Sequence, residues 1–339
     1  MVRKRVTSFE VAEKSGVSRT TVLFVLNNVP GISISEATRQ RVIQVAKELN
    51  YHPDSTGKKL ASGRSNTIGL VLRQSHEQVF ADVLLPQVLL GIEQAATEQG
   101  FQFLLKPLEP GDNDGYMRLV HENHVDGIIL SGPRQEEAEL IRLHQEGLPV
   151  MMMGQLPGSG LPFVDIDAVS GSTLAVNHMI EQGHRRIGLI TNAALEYTSA
   201  QQRRLGYLNA LNAAGIEPYE SLMLAGNYTP ASGFKAMQKL LNVILRPTAV
   251  FVASDVVSLG AIRAIKQAGL RIPQDVAVVG FDDIPMADYF DPPLTTIRIP
   301  SYGLGWASGE RLVRLVQGEV LEQDGMLLES ELIIRNSSC

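Results

Sequence analysis

Apolar residues recur along this chain in two rhythms, and the change between them falls near residue 65. Over the first 50 residues the spacing is helical. The stretch "TSFEVAEKSG" offers Thr7 or Ser8 as an N-cap, sets Phe9, Val11 and Ala12 on one face, and stops at Gly16. "VSRTTVLFVLNN" restarts with Ser18 as cap and carries Val22, Val25 and Leu26 at i, i+3 and i+4. "SEATRQRVIQVAKELNY" begins at Ser35 and repeats the stripe with Val42, Val45, Ala46 and Leu49. Two helices joined by a tight Gly-containing turn, braced by a third, predict a helix-turn-helix.

Beyond residue 65 short apolar runs replace the stripes: "TIGLVL" (67–72), "FQFLLK" (101–106), "VDGIILS" (125–131), "LPVMMMG" (148–154), "RRIGLIT" (185–191), "TAVFVAS" (248–254) and "DVAVVGFDD" (275–283). Amphipathic segments such as "LLGIEQAATEQG", "LAVNHMIEQG" and "LGAIRAIKQAG" lie between them. Strands without alternation, interleaved with helices, predict parallel sheets covered on both faces. Two such units, near 66–165 and 166–290, suit a chain of 339 residues.

Charge sharpens the division. Residues 1–65 hold 11 Lys/Arg and 5 Asp/Glu, a net +6, while the remainder holds 19 and 31, a net −12. A basic module on an acidic body is the electrostatic footprint of a unit that neutralises phosphates beside one that does not. A solvated basic tail has the same charge, but the helical patterning of the first 50 residues is more than a tail requires. No run of about 18 apolar residues occurs, and "MVRKRVTSFE" has charge without an apolar stretch, so no membrane partner and a cytoplasmic, nucleoid-associated location are expected.

The single cysteine, Cys339, leaves no disulfide frame, cysteine metal cluster or cysteine nucleophile to expect. The dinucleotide, nucleoside-triphosphate, zinc-protease and hydrolase signatures are missing, and His178 and His184 are six apart across the glycine end of a helix, a spacing that does not face a metal. Neither an enzyme, a catalytic residue, a metal nor a cofactor is expected.

If Val22, Val25 and Leu26 face the core, then Arg19, Thr20, Thr21, Leu23, Phe24 and Asn27 lie toward the start or the outer side of the second helix, where a recognition helix meets base edges. Phe24 has a competing place, packed within its own module. "VTSFEVAEKSGVSRTTVLFVLNN" and "TRQRVIQVAKELNYHPDSTGKKLASGRSNTIGLVL" resemble the lactose-repressor/galactose-repressor family of bacterial transcription factors. The resemblance runs on through "HVDGIILSGP", "LAVNHMIEQGHRRIGLI", "FVASDVVSLGAIRAIKQAGLRIPQDVAVVGFDD", "PPLTTIRIP" and "ELIIRNSS".

The resemblance implies an α/β fold: an N-terminal helix-turn-helix DNA-binding domain (1–53), a hinge (54–65), and a periplasmic-binding-protein-like effector domain (66–339) of two Rossmann-like parallel-sheet subdomains. Their expected bounds are 66–165 with 298–322, and 166–297 with 323–339. It further implies that "DSTGKKLAS" (54–62) is a hinge helix that drives a leucine into the minor groove; Leu60 and Ala61 match that pair, and Lys58 and Lys59 reach phosphates. A flexible linker whose Leu60 packs on the body is the other possibility. Many members carry Ser-Arg where this chain has Leu23 and Phe24, so apolar contact with a thymine methyl is expected here, with polar contacts left to Arg19, Thr20 and Asn27. The full DNA-contacting set is Thr7, Ser18, Arg19, Thr20, Thr21, Leu23, Phe24, Asn27, Tyr51, Lys58, Lys59, Leu60 and Ala61.

Ligands of open α/β sheets bind at the carboxyl ends of strands. The expected effector set is Phe80, Ser199, Arg203, Tyr228, Ser254 and Asp282, with Arg203 and Asp282 implied by the family to hold hydroxyl or anionic groups and Tyr228 to stack. Asp255 is expected to cap the helix at "VVSLGA". Gly154 stands where some sugar-responsive members carry Asp. Trp306 and the "MMM" at 151–153 read as packing residues.

The expected whole is a homodimeric, sequence-specific transcriptional regulator, a repressor by preference, on a pseudopalindromic operator, controlled by a sugar or related polar metabolite between two subdomains. No leucine-heptad tail follows "ELIIRNSS", so no tetramer is expected. Alternatives are a transport receptor without a DNA role, and a DNA-binding regulator answering to a protein co-regulator.

Overall fold

A computed structural model describes residues 6–27, 31–51, 65–109, 112, 115–122, 124–134 and 137–339, in two units, Met1–Ser65 and Asn66–Cys339. The first unit holds α1 (Ser8–Ser15), α2 (Arg19–Leu26) and α3 (Glu36–Glu48). The Thr7 backbone N–H donates to Glu10 Oε2 at 2.7 Å, closing a capping box, and Gly16 ends α1 at φ 66. Ser18 and Ser35 cap the next two helices by accepting from Thr21 and Thr38. The helices close on Val11, Ala12, Val22, Val25, Val42, Val45 and Ala46, with Leu26 and Leu49 partly buried beside them. Phe9 does not share this face, contrary to expectation, and is 60% exposed. At about 100° per residue it falls well off the arc that Val11, Ala12 and Ser15 bury.

In the second unit β1 (Thr67–Leu72), α4 (His76–Ala81), α5 (Leu85–Glu98), β2 (Gln102–Pro107), α6 (Gly115–His121), β3 (Gly127–Ser131), α7 (Ala138–Gln145), β4 (Val150–Met153) and β5 (Phe163–Ile166) come first. Then follow α8 (Ala168–Glu181), β6 (Ile187–Thr191), α9 (Thr198–Ala213), β7 (Met223–Ala225), α10 (Pro230–Leu241), β8 (Ala249–Val252), α11 (Asp255–Gln267) and β9 (Ala277–Val279). The last elements are β10 (Thr296–Arg298), α12 (Ser301–Gln317), β11 (Gly325–Leu328) and β12 (Glu331–Ile333).

They build two lobes. One sheet runs β11-β5-β4-β3-β1-β2 and the other β7-β6-β8-β9, both parallel, while β10 and β12 form a small antiparallel pair. Strands β1, β3, β4, β6, β8 and β9 are buried along almost their whole length, which is why they read as unbroken apolar runs. The chain passes between lobes after β5, before α12 and between β11 and β12.

The last passage corrects an expectation. Residues 323–339 do not all return to the second lobe: β11 adds in parallel to β5 of the first sheet, Leu327 opposite Asp165, and only β12 onward joins the second. Five strands escaped the hydropathy pattern: β5 is interrupted by Asp165, and β7, β10, β11 and β12 are short strands with exposed positions among them, so none forms an unbroken apolar run.

Candidate functional site

Two places concentrate chemistry. On α2, Thr20 is exposed and Leu23 is 36% exposed, while Phe24 is half-buried and stands outside the apolar cluster of the module. Arg19 Nε donates to Ser8 Oγ at 3.3 Å, and Ser18 and Thr21 pair their hydroxyls at 2.9 Å. Asn27 is the C-cap of α2, and Tyr51 packs partly on the core of the module. The outer side of α2 therefore carries Arg19, Thr20 and Leu23 as its accessible groups. Lys58, Lys59, Leu60 and Ala61 lie outside the described residues.

The second place is a cavity of about 430 Å³ between the lobes. It lies where strand ends converge: Leu72, Ser131, Met153 and Ile166 close β1, β3, β4 and β5, and Asn192, Ser254 and Asp282 follow β6, β8 and β9. Helix α9 sends Ser199, Gln202 and Arg203 into it. The lobes thus oppose their carboxyl edges, the general ligand position in α/β sheets.

Arg203 is fixed on three sides. Its Nη1 donates to the Ala253 carbonyl at 2.5 Å, its Nη2 to Asp282 Oδ1 at 3.1 Å, and its guanidinium lies 4.0 Å over the Phe281 ring. Its Nε is buried without a partner. Asp282 takes φ 120, and its N–H donates to the Ile297 carbonyl at 2.7 Å. Burial pushes its carboxyl up to about 6, with Arg203 drawing it back and Asp82 across the cleft raising it further.

Tyr228 is another residue off the usual backbone map, at φ 52, held by its N–H on the Asn192 carbonyl at 2.8 Å. Asn192 Nδ2 donates to Ser199 Oγ at 3.2 Å and to the Tyr228 hydroxyl at 3.4 Å, while its Oδ1 is buried without a partner. Burial pushes the Tyr228 phenol up to about 12, so it stays a neutral donor. Asp165 accepts from Gln155 at 3.1 Å and Asp82 from the Leu84 N–H at 2.9 Å. Burial raises the Asp165 carboxyl, and desolvation inside the cleft raises that of Asp82 although the residue as a whole is exposed. Among the described lining residues Arg203 is the one cation, against Glu77, Asp82, Asp165 and Asp282.

The expected residues Ser199, Arg203, Tyr228, Ser254 and Asp282 all line this cavity, and Phe80 does not. The turn of α4 buries Val79 and aims Glu77, Gln78 and Ala81 at the cavity, which leaves Phe80 73% exposed. Asp255 is not a helix cap either. Its carboxylate is fully buried, accepts from Ile284 N–H at 3.0 Å and Thr296 Oγ1 at 2.6 Å, and so ties the loop after β9 to β10. Met151 and Met152 are core, whereas Met153 also reaches the cavity wall. Trp306 lies outside the lining, His178 pairs with Ser338 and His184 with Thr248. Sequence reasoning missed Asp82, Asp165, Asn192 and Gln202; Asn192 directly follows a recognised strand, and that position was its signal.

Comparison with known proteins agrees with this organisation. A family profile described as bacterial regulatory proteins, lacI family, matches residues 9–54, and one described as a periplasmic binding protein-like domain matches 176–338. The HTH-type transcriptional regulator CelR of Thermobifida fusca is 35% identical over 339 residues, covering 99% of both chains. The HTH-type transcriptional repressor CytR of Escherichia coli (strain K12) is 35% identical over 336 residues, 98% of this chain and 96% of that one. Among solved structures, the lac repressor dimer bound to operator and the anti-inducer ONPF superposes with a TM-score of 0.87 at 30% identity over 99% of each chain. A CelR–cellobiose complex does so with 0.77 at 34% identity, over 98% of this chain and 100% of that one.

Proposed function

The chain belongs to the lacI family of bacterial regulatory proteins, and from that premise we propose that it acts as a homodimeric repressor on a pseudopalindromic operator, released or recruited by a neutral polyhydroxylated metabolite bound between its lobes. The observation that carries the effector class is the Arg203–Asp282 pair. In a cavity of about 430 Å³ the only lining cation among the described residues is already neutralised by a carboxylate, and three further acids surround it. A phosphate or carboxylate ligand would find no unpaired cation among the described lining residues, whereas hydroxyls can donate to Asp82, Asp165 and Asp282 and accept from Arg203 Nε. The cavity is within the usual range of roughly 300–1,000 Å³ for small-molecule sites. That a relative's structure is a complex with cellobiose supports a sugar of this kind.

On the DNA side, Arg19, Thr20 and Leu23 of α2 read base edges, and Ser18, Thr21, Phe24 and Asn27 support them. Thr7, Tyr51, Lys58 and Lys59 are assigned to the phosphate backbone, and Leu60 with Ala61 to the minor groove. The domain reading is a DNA-binding module over 1–53, a hinge over 54–65 and an effector domain over 66–339. Exposed Leu259, Met286 and Tyr289 on the second lobe supply apolar surface for the dimer. The protein works in the cytoplasm on the nucleoid; no helix among the described residues is long and apolar enough to cross a membrane.

The test is a thermal-shift and calorimetric screen of neutral sugars, nucleosides and sugar phosphates, followed by operator binding with and without the best ligand. Binding of a neutral sugar or nucleoside with a changed operator affinity is expected. Preference for a phosphorylated ligand overturns the charge argument, and an empty screen with intact operator binding favours a protein co-regulator.

A further inference from the structure

One contact joins the lobes beside the cavity without lining it, between the neighbours of the lining residues Pro133 and Thr198. Arg134 stands in the loop after β3 of the first lobe, and Tyr197 precedes α9 of the second. Arg134 Nη2 donates to the Tyr197 hydroxyl at 2.6 Å, its guanidinium lies 4.8 Å from the centre of the Tyr197 ring, and the two backbones form an antiparallel bridge. Beside them, the Thr198 N–H and hydroxyl both reach back to the Pro133 carbonyl, at 3.4 and 3.5 Å.

Both ends are anchored. The Arg134 N–H donates to Glu137 Oε1 at 3.3 Å, and the fully buried Glu137 carboxylate accepts from Tyr116 at 3.1 Å and pairs with Arg73 at 3.5 Å. Arg73 directly follows Leu72, a cavity residue. On the other lobe Tyr197 packs edge-on against Tyr228, ring centres 5.7 Å apart, and starts the helix that carries Ser199 and Arg203. Tyr228 lines the cavity from behind that contact.

We infer that Arg134 and Tyr197 are positioning residues, an interlobe clasp that touches no ligand but holds the cleft closed and Tyr228 and α9 in their binding arrangement. The inference rests on the reading of the cleft as the effector site. A contact made in one arrangement of the lobes raises the fraction of chains in that arrangement, and a ligand that needs it then binds more tightly in proportion to that fraction, whatever its chemistry. The clasp therefore tunes affinity without touching the ligand, while Arg203, Asp282 and Asn192 supply the contacts that choose it.

The test uses the full chain with no ligand present. Spin labels go on Gln145→Cys of α7 and Lys239→Cys of α10, both exposed and on opposite lobes, in a Cys339→Ser background diluted with unlabelled protein. Tyr197→Phe keeps the ring and its contact with Tyr228 but removes the hydroxyl; Arg134→Gln removes the charge. Each is expected to move the distance distribution toward longer values at an unchanged melting temperature. Distributions that superimpose on the parent's for both variants overturn the clasp. Should one variant fail to fold, the other decides. Because no effector enters the experiment, a failure here is separate from a failure to find an effector.

Discussion

Arg203 Nη2 and Asp282 Oδ1 meet at 3.1 Å although 79 residues separate them, and together they floor the cleft between the lobes. The pair is buried, so removing one partner strands the other. Arg203→Ala is expected to abolish the effector-induced thermal shift and to cost about 3 kcal/mol of stability, as breaking buried ion pairs does. Urea unfolding measures the second and calorimetry the first. Operator affinity without effector should survive, and a full effector response in this variant would remove Arg203 from the site.

The same pair gives a pH signature. The folded state holds the Asp282 proton up to about pH 6, above the ordinary aspartate value near 4. Between those values the folded chain binds more proton than the unfolded one, so the contribution of Asp282 to stability is full below pH 4 and falls as pH rises to 6, by about 3 kcal/mol in all. Asp282→Asn cannot titrate. The difference in urea midpoint between wild type and Asp282→Asn should therefore move against the wild type from pH 4 to pH 6.5. A difference independent of pH would show that Asp282 is ionised throughout.

Gly154 bears on ligand selectivity. It takes φ +119, and a Cβ there would lie 2.6 Å from Pro133 Cδ. An aspartate at this position is thus not a simple gain of a hydroxyl partner. Gly154→Asp should destabilise the protein by roughly 2 kcal/mol through backbone strain, and weaken rather than strengthen the binding of a neutral sugar. Tighter binding at undiminished stability would mean that the loop after β4 relaxes freely.

How much of this was legible follows from where the signal lies. The first module shows its caps and its three-helix stripe directly, because Ser18, Ser35, Val22 and Val42 act within one or two helical turns. The long strands were legible because burial on both faces leaves apolar runs. Arg203 and Asp282 were reachable through strand ends and family resemblance. Asp82 and Asp165 were not: the first follows a short helix and the second sits inside a four-residue strand with no pattern of its own. Phe80 failed because bulk beside a cleft says nothing of rotation about the helix. Tyr197 meets Arg134 across 63 residues, a juxtaposition that only the tertiary fold creates.

DNA readout gives the last prediction. Thr20 and Leu23 project from α2 while Val22 and Val25 are buried, so the outward residues can be changed without loss of the fold. Replacing either by Ala should cost about 1–3 kcal/mol of operator affinity through lost base contacts, relaxing specificity at one position and leaving the salt slope alone. Lys58→Ala should weaken all DNA about equally and flatten the salt dependence by about one counterion. Leu60→Gly should lose most of the operator affinity at unchanged melting temperature if the hinge wedges the minor groove. Fluorescence anisotropy against operator and scrambled duplexes, at several salt concentrations, separates the three. A Leu60→Gly protein that binds operator normally would leave residues 54–65 as a tether and place the whole of recognition on the helix-turn-helix.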